Sequence, residues 1–309
     1  MTPEPLIIQG PGIITFNTVT MYFEDDITVA LKRESFNPKG AFSGPLGERH
    51  KSSIFEITGN LFGQQPTLAN FAKIFPYTPA DIGKSIMNGA LVITSIVQAQ
   101  SWTYHRAGVN KLPDVNLHPL KTLFGQIGFL AIGKAATAPT DAAFIKTVAA
   151  GSFSDAYYDP DKVYTDQYEA AWGASPFDSM GSHDGFLVKQ SMGTKNLESA
   201  DRGITDVILD SLGAEVSFPP SNLTHTEVDT LLGIQDTDVV MPGESYAKAA
   251  EDLVITGPNL ICTCLQMGPK DGGYKHQLGE NEVQGVTFVN NLKYTLGVGQ
   301  RLVQFTEPA

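Results

Sequence analysis

The tetrapeptide LVIT occurs twice in the chain, as Leu91-Val92-Ile93-Thr94 and as Leu253-Val254-Ile255-Thr256. Its apolar, β-branched residues are typical of a strand in both places. The two occurrences lie 162 residues apart, close to half of the 309-residue chain. One repeated tetrapeptide can arise by chance, so its meaning depends on whether the neighbouring segments also match.

The neighbouring segments recur in the same order around each LVIT. The first half predicts strands at 27–33 and 53–62, a helix at 67–75, LVIT and a closing strand at 124–132. The second half predicts strands at 185–192 and 206–218, a helix at 224–232, LVIT and a closing strand at 282–294. Such repetition indicates two tandem copies of one β-rich domain.

Three pairs of landmark residues keep nearly the same spacing. The helix-capping residues Thr67 and Thr224 lie 157 residues apart, Asp26 and Asp184 lie 158 apart, and Phe129 and Phe288 lie 159 apart. Near-constant offsets predict a first domain over 1–134, a linker with a helix over 135–162, and a second domain over 163–309.

Local signals define several other elements. The stretch 13–23 is rich in β-branched and aromatic residues and predicts a strand. Thr224, with Glu227 three residues later, predicts a capping box at a helix N-terminus. The segment 140–150, TDAAFIKTVAA, predicts a helix that ends at Gly151.

Composition excludes several classes of protein. Apolar residues make up 42% of the chain and charged residues 17%, which argues against disorder. The sequence shows neither a basic leader nor an apolar run long enough to cross a bilayer, so we expect no secretory signal and no membrane span. The net charge of −12 argues against a protein that grips nucleic acid, because phosphate contacts require Lys and Arg.

The sequence contains few signals of catalysis. It has no glycine-rich dinucleotide loop, P-loop or nucleophile elbow. Ser182, His183 and Asp184 are adjacent and predict a polar turn rather than a relay, because neighbouring side chains point in different directions. The histidines lack metal-ligand spacing, and Cys262 and Cys264 predict free thiols on one face of a strand. We expect no enzyme activity, no cofactor and no metal.

A long loop is the strongest candidate for a functional segment. Residues 35–52 read SFNPKGAFSGPLGERHKS, with glycines and prolines that interrupt regular structure. Loops of this length in compact domains are usually functional or disordered. Phe36 and Phe42 are costly to expose in water, so we expect them to pack on a partner, with packing on their own domain as the alternative.

Several stretches together resemble the tail tube proteins of long-tailed bacteriophages and prophages. These stretches are GPGIITFNTVTMYF, the acidic turn EDD, ITVALKRESF, IFEITGNLFG, VNKLPDVNLHPLKTLFGQIGFLAIGK and YEAAWG. The resemblance covers most of the chain and rests on pattern more than on one diagnostic motif.

The resemblance implies a mainly β fold, a β-sandwich or half-barrel with short flanking helices, present here as two tandem tail-tube-like domains. It also implies that six domains form a ring, that three chains supply them, and that stacked rings form the conduit for DNA ejection. Implied partners are other copies of the chain, the tape measure protein, the tail terminator and tail-tip proteins, and passing double-stranded DNA without specific binding. The implied location is the virion tail, assembled in the cytoplasm of a host bacterium.

Within this interpretation, the loop 34–52 and its shorter counterpart 193–205 make the contact between stacked rings. The residues expected at this contact are Phe36, Phe42, Pro45, Glu48, Arg49, Lys195, Glu198, Asp201 and Arg202. Acids expected at the rim or lumen of the ring are Asp25, Asp26 and Asp184. An acidic wall would repel DNA and let it slide.

Three other classes of function stay open. The chain could be another virion component, such as a tail-end ring or connector protein, or a non-viral β-sandwich binding module. An enzyme with a dispersed site would leave no local motif. Electron microscopy of the purified protein distinguishes these, because a tube protein forms rings or tubes and the others stay compact.

Overall fold

The computed structural model describes most of the chain. The described residues are 12–24, 26–36, 39–40, 44–45, 49–62, 74–95, 100–118, 123–132, 145–149, 167–173, 177–182, 184–199, 203–224, 226–227, 251–270, 285–290 and 300–308. Strands predominate among them and form two large antiparallel sheets, which confirms the mainly β fold.

The first sheet is built from strands of the first half of the chain. They are β1 (Gly12–Phe16), β2 (Val19–Tyr22), β3 (Thr28–Phe36), β6 (Arg49–Asn60), β7 (Gly89–Ser95), β8 (Gln100–Lys111), β10 (Gln126–Ile132) and β11 (Ile145–Ala149). Their spatial order is β2-β1-β7-β8-β10-β6-β3, and β11 pairs with β8 beside β10. A separate two-stranded ribbon joins β4 (Lys39–Gly40) and β5 (Gly44–Pro45) between β3 and β6.

The second sheet is built mainly from strands of the second half. They are β9 (Val115–Leu117), β12 (Glu169–Trp172), β13 (Met180–Gly181), β14 (Phe186–Ser199), β15 (Gly203–Phe218), β16 (Glu251–Thr256), β17 (Ile261–Pro269), β18 (Val286–Asn290) and β19 (Val303–Thr306). Their order is β13-β12-β16-β17-β18-β15-β14-β9, and β19 pairs with β17 beside β18. Only β9 comes from the first half.

Apart from β9, the two sheets have the same strand order. In each sheet the second strand along the chain lies outermost, next to the first, and the third strand lies at the other end. The short strands β11 and β19 also take the same place, each beside the sixth strand of its sheet.

The correspondence extends to register. Phe129 lies opposite Ile57 in the first sheet, and Phe288 lies opposite Val216 in the second. The β7–β8 pairing shifts register after Gly89, and the β16–β17 pairing shifts at the same place, after Glu251. Since a bulge bends a strand and re-aims its side chains, matched bulges give the two sheets the same local geometry.

The LVIT copies occupy equivalent strands, β7 and β16. Leu91 and Ile93 are fully buried, as are Leu253 and Ile255, while the intervening valines are half-buried. Alternation of this kind places one face of each sheet on the core and leaves the other accessible. The repeated tetrapeptide therefore reflects the same demand on a strand with one buried face.

Aromatic side chains fill equivalent places in the two cores. The rings of Phe16 and Phe129 lie 5.7 Å apart, centroid to centroid, and those of Trp172 and Phe288 lie 5.4 Å apart. The indole N–H of Trp172 donates to the carbonyl of Met267 at 2.8 Å, so this buried donor is satisfied. The thiols of Cys262 and Cys264 are free and fully buried on β17, as the sequence predicted.

Two predictions about regular structure are wrong. The single strand expected over 13–23 is a hairpin, β1–β2, because Asn17 and Thr18 both adopt positive φ and form a two-residue turn. The helix expected over 140–150 is contradicted at 145–149, which form β11. Ile145, Thr147 and Val148 are β-branched, and pairing with β8 overrides the helical tendency of the neighbouring alanines.

The short flanking helices are described only in part. Ile74 has helical conformation, and Thr226 and Glu227 begin the helix expected at 224–232, whereas 67–73 and 228–232 lie outside the described residues. The capping box is confirmed, because the Thr224 N–H and hydroxyl donate to Glu227 Oε2 at 2.6 and 2.8 Å and the Glu227 N–H returns to Thr224 Oγ1 at 3.3 Å. The bond from the Thr224 backbone N–H is the main factor that lowers the pKa of Glu227.

We predict that the two LVIT strands, β7 and β16, contribute about equally to the free energy of unfolding. Ile93→Ala and Ile255→Ala each remove a fully buried side chain and should each lower the free energy of unfolding by about 2–5 kcal/mol. The half-buried Val254, changed to Ala, serves as the control and should cost about 1 kcal/mol or less. Urea unfolding measures all three variants, and an Ile255→Ala variant as stable as the control would contradict the prediction.

Candidate assembly interface

A short segment of the first half pairs with β15 of the second half. The N–H of Gly83 donates to the carbonyl of Leu209 at 2.7 Å, and the N–H of Leu209 donates to the carbonyl of Lys84 at 2.9 Å. The N–H of Ile86 donates to the carbonyl of Val207 at 2.9 Å. The segment 83–86 thus binds the part of β15 that β18 does not cover. Backbone hydrogen bonds join the halves as they join neighbouring strands.

Charged and polar side chains reinforce this contact. Arg106 donates from Nη1 to the carbonyl of Thr205 at 2.7 Å, and its Nη2 lies 3.1 Å from Oδ1 of Asp206. The same Oδ1 accepts a 2.6 Å hydrogen bond from the hydroxyl of Ser85. Both charged side chains are about three-quarters buried, so the ion pair is less screened by water than a surface pair.

A capped turn precedes and orients the binding segment. The N–H and hydroxyl of Thr78 donate to Oδ2 of Asp81 at 2.9 and 2.8 Å, and Lys84 Nζ lies 3.0 Å from Oδ1. Burial alone would raise the pKa of Asp81, but the hydrogen bonds from Thr78 and the contact with Lys84 outweigh it and lower the pKa. The ionised carboxylate therefore holds the turn from which 83–86 extends.

The turn is also anchored to β8. The hydroxyl of Tyr77 donates to the carbonyl of Val109 at 2.8 Å, and burial raises the pKa of Tyr77 above its ordinary value. Gly108 lies beneath the backbone of Ile86, and a Cβ there would collide with the Ile86 carbonyl. Glycine at this position lets the segment lie directly on the sheet.

A second contact adds a strand of the first half to the edge of the second sheet. Val115–Leu117, the strand β9, pairs with Phe186–Val188 of β14. Gly185 precedes this pairing and has a positive φ of 73°, in the left-handed region, and a Cβ there would collide with the carbonyl of Leu117. Strand addition of this kind derives affinity from the main chain and covers an otherwise open edge.

A third contact involves the end of the chain. The rings of Phe75 and Phe305 stack with centroids 5.4 Å apart, and Arg301 Nε donates to the carbonyl of Phe75 at 2.7 Å. All three contacts join one surface of the first half to a different surface of the second half. The interface is therefore heterologous rather than self-complementary.

The residues expected at the contact between stacked rings lie on two hairpins. Phe36 ends β3 opposite Arg49 at the start of β6, and Pro45 lies in β5 opposite Lys39. Lys195 and Glu198 are exposed on β14. Outside the described residues lie Phe42, Glu48, Asp201 and Arg202.

Both predicted loops are strand at their ends. In the first, 34–52, residues 34–36 belong to β3 and 49–52 to β6, and the ribbon β4–β5 lies between them. The predicted loop 193–205 is wrong, because residues up to 199 and from 203 onward are strand. The sequence of this segment is mostly polar and lacks the apolar alternation that predicts a strand. Its residues 193–199 and 203–205 are nevertheless strand, because β14 and β15 pair through backbone groups, which do not require that alternation.

The acids expected at a rim lie at corresponding strand starts. Asp26 and Asp184 are both exposed, and each precedes the third strand of its half by two residues; Asp25 lies outside the described residues. Asp184 and His118 line a pocket of about 230 Å³ beside the β9–β14 pairing.

No group of three or more His, Cys, Asp or Glu side chains within the described ranges is placed to hold a metal ion. The described part of the chain also contains no helix that is long and apolar enough to cross a membrane.

Comparison with models of known protein families and with curated proteins finds no match to this chain.

We predict that Arg106 stabilises the contact between the halves. Arg106→Leu leaves the Asp206 carboxylate largely buried without its cation, and should cost about 1–3 kcal/mol in urea unfolding. Hydrogen exchange at the amide of Leu209 should accelerate with it. The control is Lys32→Ala, which breaks the exposed ion pair with Glu56 and should cost less than about 1 kcal/mol. Equal effects of the two substitutions would contradict the assignment.

We predict that the turn at Asp81 loses stability in acid. Because folding lowers this pKa, the ionised carboxylate contributes stability above the ordinary value of 3.8, and the contribution disappears as the pH falls through the lower folded value. Asp81→Ala should cost about 0.5–2 kcal/mol at pH 7. Unfolding of both proteins at pH 7 and at about pH 3 checks this. A difference that stays constant or widens in acid would refute it.

Proposed function

We propose that the protein is a structural subunit that assembles into rings, and that stacked rings form the tail tube of a long-tailed bacteriophage. In this proposal the chain is a duplicated tail-tube-like domain, and three chains supply six domains to each ring. It has no enzymatic role and takes no cofactor.

The observation that carries the proposal is the heterologous contact between two halves whose sheets have the same strand order. Strand order, register and the bulges of β8 and β17 agree between the halves. When one of two similar units binds the other through different surfaces, each unit keeps an unused surface of the opposite kind. Repetition of that contact gives a closed ring or a helical filament.

Ring closure also suits the open edges of the sheets. An edge strand presents unpaired N–H and C=O groups, and cyclic assembly covers them with a neighbouring chain. Within the chain, β9 already covers part of β14 in this way. Three chains repeating the contact would produce threefold symmetry with a sixfold-like shape.

The face of each sheet opposite its core supports a conduit role. Glu56 and Glu215 take matched positions on that face, and each is neutralised by a lysine, Lys32 at 2.6 Å and Lys270 at 2.8 Å. Paired charges at a wall offer no strong hold to phosphates. The protein as a whole is negative, with a net charge of −12. An acidic lumen with Asp26 and Asp184 near its rim stays a prediction.

The resemblance to tail tube proteins supplies the biological setting of the proposal. In this proposal the assembled protein lies in the virion tail after assembly in the bacterial cytoplasm. Its partners there are the tape measure protein, the terminator and the tail-tip proteins, and double-stranded DNA passes through without specific binding.

Native mass measurement with negative-stain microscopy tests the proposal. We expect the full chain, concentrated or incubated with tail-tip components, to form rings of three subunits and then tubes with a central channel. A ring of six chains would contradict the duplicated arrangement. A chain that stays monomeric under all these conditions would contradict the assembly role.

A further inference from the structure

We infer that the outer edge of β3 is the docking surface for a second copy of this chain, whose second half binds there as the first half binds β14. This inference rests on the proposed ring assembly and names the surface through which chains join.

β3 and β14 hold the same position in their sheets. Val29 lies opposite Ile57 on β6, and Val188 lies opposite Val216 on β15, each in the third strand of its half. Both hairpins also shift register at the same place, after Glu34 and after Gly193. An element that binds the edge of β14 therefore meets an equivalent edge on β3.

The two edges differ in what covers them. Phe186–Val188 of β14 pair with β9, whereas β3 ends its sheet and has no strand on its outer side among the described residues. Val188 is fully buried, but its counterpart Val29 is only half-buried. Within the described ranges, the acceptor edge is filled in the second sheet and open in the first.

An exposed apolar side chain marks the open edge. Leu31 of β3 is 42% exposed, which is unusual for a large hydrophobic residue in the described part of the chain. An apolar side chain on an open edge strand favours pairing with another chain. The adjacent Lys32 is neutralised by its ion pair with Glu56.

A second copy is the occupant because the contact within the chain is heterologous. The first half already presents its binding segment to β14 and β15, so its own β3 edge needs the corresponding surface of a second half. That second half belongs to another chain, since the one in the same chain already contacts other elements of the first half, namely 83–86, Arg106 and β9. Each added chain creates the same open edge again until the ring closes.

The contact between chains differs chemically from the contact within the chain. Arg106 lies in the bulge of β8, and Gln266 takes the equivalent place in the bulge of β17. Gln266 is half-buried, and its Oε1 has no hydrogen-bond partner among the described residues. The chain-to-chain contact thus has a neutral carboxamide where the internal contact has a guanidinium, which makes it the weaker and more reversible of the two.

The test compares Leu31→Glu with Leu197→Glu in the full chain. Leu197 is a matched control because it is 41% exposed and lies on β14, toward the tip of the equivalent hairpin. Circular dichroism and thermal unfolding establish that both variants fold. Sedimentation and native mass measurement then report the concentration at which rings form, and microscopy reports tubes.

We expect Leu31→Glu to raise the concentration needed for ring formation at least tenfold, because a carboxylate would be buried in the joint. Leu197→Glu should form rings as the wild type does, whatever its effect on stacking. Wild-type assembly that Leu31→Glu leaves intact, or equal loss in both variants, would overturn the placement on β3. A wild-type chain that never assembles would instead contradict the proposed function.

Discussion

One strand in the interior of each sheet, β8 in the first and β17 in the second, constrains the rest of the structure. Each pairs along one side with the LVIT strand. Along the other side, one end pairs with β10 or β18 and the rest pairs with β11 or β19. β10 and β18 pair on their other side with β6 and β15, which belong to the hairpin formed by the third and fourth strands of each half. The hairpin therefore lies at the far end of the sheet, and in the second sheet its outer strand, β14, is the edge to which β9 of the first half is added.

The sequence was most informative where burial alternates. Leu91, Ile93, Leu253 and Ile255 alternate with less buried residues, and a period of two is a strong signal for a strand with one buried face. The capping box at Thr224 was also predictable, since it depends on residues only three apart. Such features are predictable because the residues that cause them are close together in the sequence.

Nonlocal pairing was not predictable in the same way. The outer half of β14 is polar and exposed, and it is a strand only because β15 lies beside it. β11 sits in an alanine-rich stretch, and pairing with β8 decides its conformation. The contact of Arg106 with Asp206 joins residues a hundred positions apart, and nothing in the sequence near either residue indicates the other.

The placement of both cysteines on β17 gives the protein an internal reporter of local opening. Their thiols are fully buried, and the hydrogen bond between them, together with burial, raises the pKa of Cys262 and suppresses its thiolate. Thiolate is the reactive form, so a thiol reagent can modify these groups only when the second sheet opens. Since the sequence has no other cysteine, no thiol of the first half reacts with the reagent. The rate of modification therefore measures how often the second sheet opens locally.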